Sequence, residues 1–226
     1  MLYREAGDFS KTYREDSQTF PIRFDRYRYY AVLLIAFAII PFLLNDYWVN
    51  AIFLPFLIYS IAAIGLNILT GYCGQVSLGT GGFMAVGAYA TYKLMTSFPE
   101  VSMVVHILLA GGITALVGVL FGLPSLRIKG FYLAVATLAA QFFLVWLFNR
   151  VPWFYNNSAS GQINSPERTF FGIPITGANT EPWAVYLFCL LFVALSAVIA
   201  RNLTRGAMGR KWMAIRDMDI ACLLYT

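Results

Sequence analysis

Gly65-Leu66-Asn67-Ile68-Leu69-Thr70-Gly71-Tyr72-Cys73-Gly74-Gln75-Val76-Ser77-Leu78-Gly79-Thr80-Gly81-Gly82-Phe83 joins the end of one long apolar run to the start of another, yet its middle is glycine, hydroxyl and amide. Lipid offers no hydrogen bonds to bare backbone, so such an interruption at membrane depth persists only where protein or a water-filled cavity covers it. The stretch predicts a broken helix beside a solute pathway. Glycines also serve close helix packing. Asn67, Thr70, Gln75, Ser77 and Thr80, however, add hydrogen-bonding groups that packing does not require. With Gly71 and Gly79 they form the candidate lining of a translocation path.

The composition around this stretch fixes its setting. Of 226 residues, 59% are hydrophobic and only 12% charged, against roughly a quarter charged in soluble domains. The apolar residues fall in runs near the roughly 20 needed to cross a bilayer. The predicted fold class is an all-α integral membrane protein, a polytopic helical bundle of about six spans with a broken helix in its middle. The net charge of +5 is no nucleic-acid signal, because the cations cluster in short segments between apolar runs, as the positive-inside rule describes.

Residues 1–28 carry six basic and five acidic side chains and read as a cytoplasmic N-terminal tail, with no cleavable leader. The transmembrane domain is predicted over 29–200. Its spans are Tyr29 to Leu44, Val49 to Leu69 with a kink at Pro55, Val76 to Met95, Met103 to Leu123, Phe131 to Phe148, and Trp183 to Ala200. Asn45-Asp46-Tyr47-Trp48 reads as an external turn. Gly111, Gly112, Gly118 and Gly122 predict close helix approach in the fourth span. The short turn from Pro124 to Gly130 has two cations and no acid, which places it inside. The turn-rich segment after Trp153 is long enough to carry function or short structure of its own.

Residues 201–226 form a cytoplasmic segment, with five basic residues and no acid between Arg201 and Arg216. Within it, Trp212, Ala214, Ile215 and Ile220 predict a partly amphipathic helix that either lies on the headgroups or docks a soluble partner.

Reacting groups are scarce. His106 is the only histidine, the spans hold no acidic residue, and Lys93 is the only charge inside one. No acid/base pair, nucleophile triad or metal cluster can be assembled there, so the chain is predicted not to be an enzyme and to hold no metal. His106 reads as a satisfied structural histidine. Cys73, Cys189 and Cys222 lie far apart and read as small buried apolar residues. The sequons at Asn156 and Asn202 are short enough to arise by chance.

At four places the chain resembles the permease subunits of ABC importers for branched-chain amino acids, the LivM-like family. These are Gly65 to Gly79, Gly82-Phe83 to Gly87-Ala88-Tyr89, Leu126-Arg127-Ile128-Lys129-Gly130-Phe131 to Leu138, and Gly209-Arg210 to Arg216-Asp217. The resemblance implies half of a translocation path in a bacterial inner membrane, with the N-terminus cytoplasmic. The implied partners are a second homologous permease, two ATP-binding cassette subunits, a periplasmic solute-binding protein and membrane lipid, with no nucleic acid. It also implies that Gly209, Arg210, Trp212, Ala214, Ile215, Arg216, Asp217 and Asp219 form the coupling region against an ATPase. ATP would then bind the partner subunits, and this chain would hold no cofactor. Family members usually continue with further spans, so the resemblance implies a chain shortened at its C-terminal end. A urea or short-amide permease of the same family is the nearest alternative. A stand-alone carrier or channel is the alternative from another class, and it would leave the docking-type helix unexplained.

Overall fold

The computed structural model describes Thr12 and residues 23–43, 45–125, 132–154, 163, 165–170, 172–177 and 180–217. Most of the predicted tail, the turn at 126–131, Asn156, Asp219, Ile220 and Cys222 lie outside the described residues. The chain divides into two units, Met1–Leu44 and Asn45–Thr226.

Among its described residues the first unit holds α1 (Arg23–Leu34), which passes through a π turn (Ile35–Ile39) into a last turn (Ile40–Leu43). The second holds α2 (Asp46–Tyr72), α3 (Thr80–Ser97), α4 (Met103–Ser125), α5 (Tyr132–Arg150), the strands β1 (Arg168–Phe170) and β2 (Ile173–Thr176), α6 (Pro182–Arg205) and α7 (Ala207–Asp217). Among the described residues, four helices are long and apolar enough to cross a membrane: Asp46–Tyr72, Met103–Leu123, Tyr132–Arg150 and Pro182–Arg205. Among these four, α5 is the most enclosed by its neighbours and α2 the least. α1 with its continuation to Leu43, and α3, are not in that group. The 18 residues of α3 include Lys93 and three glycines, which lower its apolar character.

Prolines explain the wide turns. Pro41 and Pro55 each sit two residues beyond a π turn, Ile35–Ile39 and Val49–Phe53 respectively. A proline ring crowds the carbonyl four residues back and supplies no N–H. The turn closes instead with Ile40 N–H on the Ile35 carbonyl and Leu54 N–H on the Val49 carbonyl, each five residues back. The predicted kink at Pro55 is thus absorbed as a widened turn inside a continuous helix. Asn45 to Trp48, predicted as a turn, is the start of α2. Asp46 lies in its first turn, where the helix dipole favours an acid, and Tyr47 and Trp48 meet edge to face.

One core lies between α3, α4 and α5, built on Val86, Leu144 and Phe148. Tyr89 stacks on Phe148 at 4.3 Å between ring centroids, and Phe154 meets Phe148 edge-on at 4.9 Å. Glycine allows the close crossings. A Cβ at Gly82 would lie 3.0 Å from the Gln141 Cα, and one at Gly87 would lie 3.3 Å from the Thr114 hydroxyl. The glycines of α4 do not act this way within the chain. A Cβ at Gly111, Gly112, Gly118 or Gly122 would meet nothing within 4 Å, which corrects the expectation of close approach there. Small residues permit contact, and these four face open space instead.

α6 packs along α2, with Phe53 and Tyr186 edge to face at 5.7 Å. Before it, β1 and β2 pair antiparallel across a turn in which Gly172 takes φ 82°. The long segment after Trp153 therefore carries short structure of its own. Arg168 of β1 ties this hairpin to the last turn of α3, donating to the Met95 carbonyl at 2.5 Å and to the Pro99 carbonyl.

Candidate functional site

The interruption runs from Cys73 to Gly79. α2 ends in a π turn (Ile68–Tyr72), and the chain then leaves the helix through Gly74 at φ 69°. Cys73 N–H bonds the Ile68 carbonyl at 3.1 Å and Gln75 N–H the Leu69 carbonyl at 3.0 Å. This is a glycine-capped helix end widened by one residue, and it satisfies carbonyls that a helix terminus otherwise leaves bare. Val76, predicted to open the third helix, still lies within the interruption. The helix resumes at Thr80, because Leu78 and Gly79 are committed to contacts with α5.

Those contacts centre on Thr137, a buried residue of α5. Its hydroxyl accepts from Leu78 N–H at 3.0 Å and donates to the Ala134 carbonyl at 3.0 Å. A Cβ at Gly79 would lie 2.6 Å from the Thr137 carbonyl oxygen, so only glycine fits there. The strap thus obtains from a side chain the hydrogen bond that lipid cannot supply.

Beside the strap lies a cavity of about 530 Å³ bounded by α2, α3, α4 and α5. Gln75, Ser77, Thr80 and Thr137 bring polar side chains to its wall. The rest of the wall is apolar, with Leu66, Leu69, Phe83, Val119, Leu123 and Leu133 prominent. Of the residues predicted to line a path, Gln75, Ser77 and Thr80 are therefore brought together. Asn67 and Thr70 are exposed and do not line the cavity, and the Thr70 hydroxyl returns to the Leu66 carbonyl at 2.9 Å. Gly71 offers its carbonyl elsewhere, and Gly79 is buried against α5. Thr137 was missed by sequence reading. The helical phase of α2 was a usable signal: Ala62, Gly65, Leu66 and Leu69 follow the i, i+3, i+4, i+7 stripe that faces the cavity, and Asn67 falls off it.

α7 folds back at Gly206 against the end of α6. Gly209 is buried so tightly on the Thr204 carbonyl that any Cβ would collide with backbone. Arg210 donates to the Arg205 carbonyl at 3.3 Å, Trp212 is half-buried, and Ala214 and Ile215 are exposed. Arg216 turns towards its own chain. Its Nη1 donates to the Gly71 carbonyl at 2.5 Å, while Asp217 grips the same guanidinium through Nε at 2.7 Å and Nη2 at 3.2 Å. That pairing, first the hydrogen bond and then the charge of Arg216, holds the Asp217 carboxyl below its ordinary range.

Two single residues complete the survey. His106 is fully buried and neither ring nitrogen has a hydrogen-bond partner among the described residues, where a satisfied histidine was expected. Lys93 lies over the Trp153 ring at 4.4 Å, a cation–π contact that lowers the cost of a cation in an apolar helix. No group of three or more His, Cys, Asp or Glu that could hold a metal occurs among the described residues.

Long apolar helices and an interrupted helix with a polar strap over a cavity define a polytopic helical membrane protein. Residues 49–223 match the family described as branched-chain amino acid transport system / permease component, and the chain belongs to that family. It is similar to the high-affinity branched-chain amino acid transport system permease protein LivM of Salmonella typhimurium strain LT2, at 33% identity over 186 residues, covering 74% of this chain and 43% of that relative. The protein of the same name from Escherichia coli strain K12 is 32% identical over 212 residues, covering 85% of this chain and 49% of that relative. The chain spans about half the length of the curated relatives it matches. No solved structure matches it.

Proposed function

We propose that this chain is a membrane-spanning subunit of an ATP-driven importer and forms half of the translocation path for branched-chain amino acids. The observation that carries this reading is the cavity, whose polar groups come from the strap while its other walls are aliphatic. A small solute with a polar head and a branched apolar side chain suits that division. Urea or a short amide would leave the apolar wall unused, so the branched-chain reading is preferred. With no fixed charge among the described residues of the wall, a zwitterion is met by backbone groups, helix ends and the side chains of Gln75, Ser77 and Thr80.

In this reading the fragment crosses the membrane six times, α1 and α3 included, in a bacterial inner membrane with its N-terminus cytoplasmic. The basic residues of α6 and α7 support that orientation. A second permease completes the path, a solute-binding protein delivers the solute, and ATP is bound by two cassette subunits, so this chain needs no cofactor of its own. α7 is the coupling helix. Met208 and Ile215, both exposed, with Lys211 between them, form a face that an ATPase cleft can cover.

The test is purification of the native complex through a tag on this chain, followed by uptake of labelled leucine into proteoliposomes with the solute-binding protein. Uptake that requires ATP and exceeds that of urea is expected. Absence of a nucleotide-binding subunit, or uptake indifferent to ATP, overturns the importer. A preference for urea overturns the solute.

A further inference from the structure

Two anchors hold the strap, and they belong to different parts of the chain. At one end Arg216 reaches from α7, 145 positions away in sequence, to the carbonyl of Gly71 in the last turn of α2. Its stem also fills the space beside Gly74, where a Cβ would lie 2.6 Å from the Arg216 Cγ. Asp217 clamps the guanidinium side-on, which fixes the fork in one orientation. At the other end Thr137 holds Leu78 N–H and crowds Gly79. Between the anchors lie Gln75 and Ser77, which line the cavity.

We propose that Arg216 is a positioning residue that carries movement of α7 to the polar wall of the cavity. The inference rests on the reading of α7 as the coupling helix. When α7 shifts, Arg216 takes Gly71 and Gly74 with it, while Thr137 pins Leu78 to α5. The strap between the anchors then turns about Gly74. Its positive φ places Gly74 in a region open to few other residues. Gln75 and Ser77 then change their presentation to the solute. This is a physical link through two hydrogen-bonded anchors rather than proximity alone.

Cys73, half-buried and free, sits inside the strap and reports on it. The experiment measures its alkylation by a small maleimide in the native complex, with the other cysteines of the chain replaced by serine, with and without ATP and vanadate. The parent is expected to show a nucleotide-dependent labelling rate. Arg216→Met keeps the stem against Gly74 and removes the donors. It is expected to lose the nucleotide dependence at Cys73 and to transport less solute per ATP hydrolysed. Arg216→Lys, with one donor restored, is expected to recover part of the dependence.

Full nucleotide dependence in Arg216→Met overturns the inference, and so does a parent whose Cys73 labelling ignores nucleotide. That second result stands even if Arg216→Met fails to assemble. A complex that contains no ATPase overturns the coupling reading instead, so the two failures are distinguishable.

Discussion

Two arginines cap two helix ends, and they do so differently. Arg168, at the hairpin end of α6, donates to the Met95 and Pro99 carbonyls in and beyond the last turn of α3. Arg216, past the other end of α6, donates to the Gly71 carbonyl in the last turn of α2. Both place a cation where the helix dipole favours one and where carbonyls lack partners. The Arg168 contact is part-buried and draws on two carbonyls of one neighbour, so it locks the hairpin to α3. Arg216 is exposed, shares its charge with Asp217, and leans on a glycine in the left-handed region. One cap locks a hairpin to its neighbour and the other joins α7 to the end of α2.

The largest effect on this contrast is expected from Gly209→Val. The new side chain collides with the Thr204 backbone, which cannot yield as a flexible side chain would, and overpacking of this kind costs about 1–3 kcal/mol or more. α7 is displaced, Arg216 loses Gly71, and limited trypsin digestion should cut at Arg205 and Arg210 much faster than in the parent. Unchanged digestion would show that α7 is not seated on the end of α6.

Arg168→Ala tests the opposite cap. Losing two charge-assisted bonds to backbone is expected to lower stability by about 2–3 kcal/mol, seen as a lower unfolding temperature in detergent. The yield of transport per ATP should stay near the parent value, whereas Arg216→Met reduces it with little change in unfolding temperature. Equal behaviour of the two variants would erase the distinction.

Thr137→Val keeps the volume but leaves Leu78 N–H without its acceptor. A loss of about 1–2 kcal/mol is expected, together with faster Cys73 alkylation in every nucleotide state, because the strap is freed at its fixed end. Labelling at the parent rate would mean that Thr137 does not hold it.

The smallest effect concerns acid. The bond and charge of Arg216 depress the Asp217 carboxyl, so its contribution is fully present above the ordinary carboxylate range and is lost as pH falls through the depressed value. Cys73 labelling should therefore stay level from about pH 8 to pH 5, after correction for thiolate fraction, and rise only at lower pH. Asp217→Asn should remove that rise and give the faster labelling throughout. The Arg168 cap uses only backbone acceptors, which do not titrate in this range.

Much of the architecture was legible from local pattern. Met103 to Leu123 is an apolar run of spanning length, and the helix found there has those limits as its spanning part. Gly74, Gln75 and Ser77 announced an interruption, and α7 followed from Trp212 and its cations. Other features were not legible. Gly111 and Gly118 look the same in sequence whether they face a neighbour or open space. Asn67 and Thr70 lie beside Gln75 in sequence, yet helical rotation carries them off the cavity stripe. Thr137 and Arg216 lie 59 and 145 positions from the partners they meet, a distance across which no periodicity runs.

The sequence by itself determined that this chain belongs in a membrane, is built of helices and breaks one of them between Gly65 and Phe83, because hydropathy, proline and glycine act on a residue and its near neighbours. Only the tertiary structure decided which polar groups of the break share a cavity, that Thr137 holds one end of it, and that Arg216 holds the other. Those outcomes depend on contacts between distant segments, made where unsatisfied backbone groups find the one side chain that folding brings within reach.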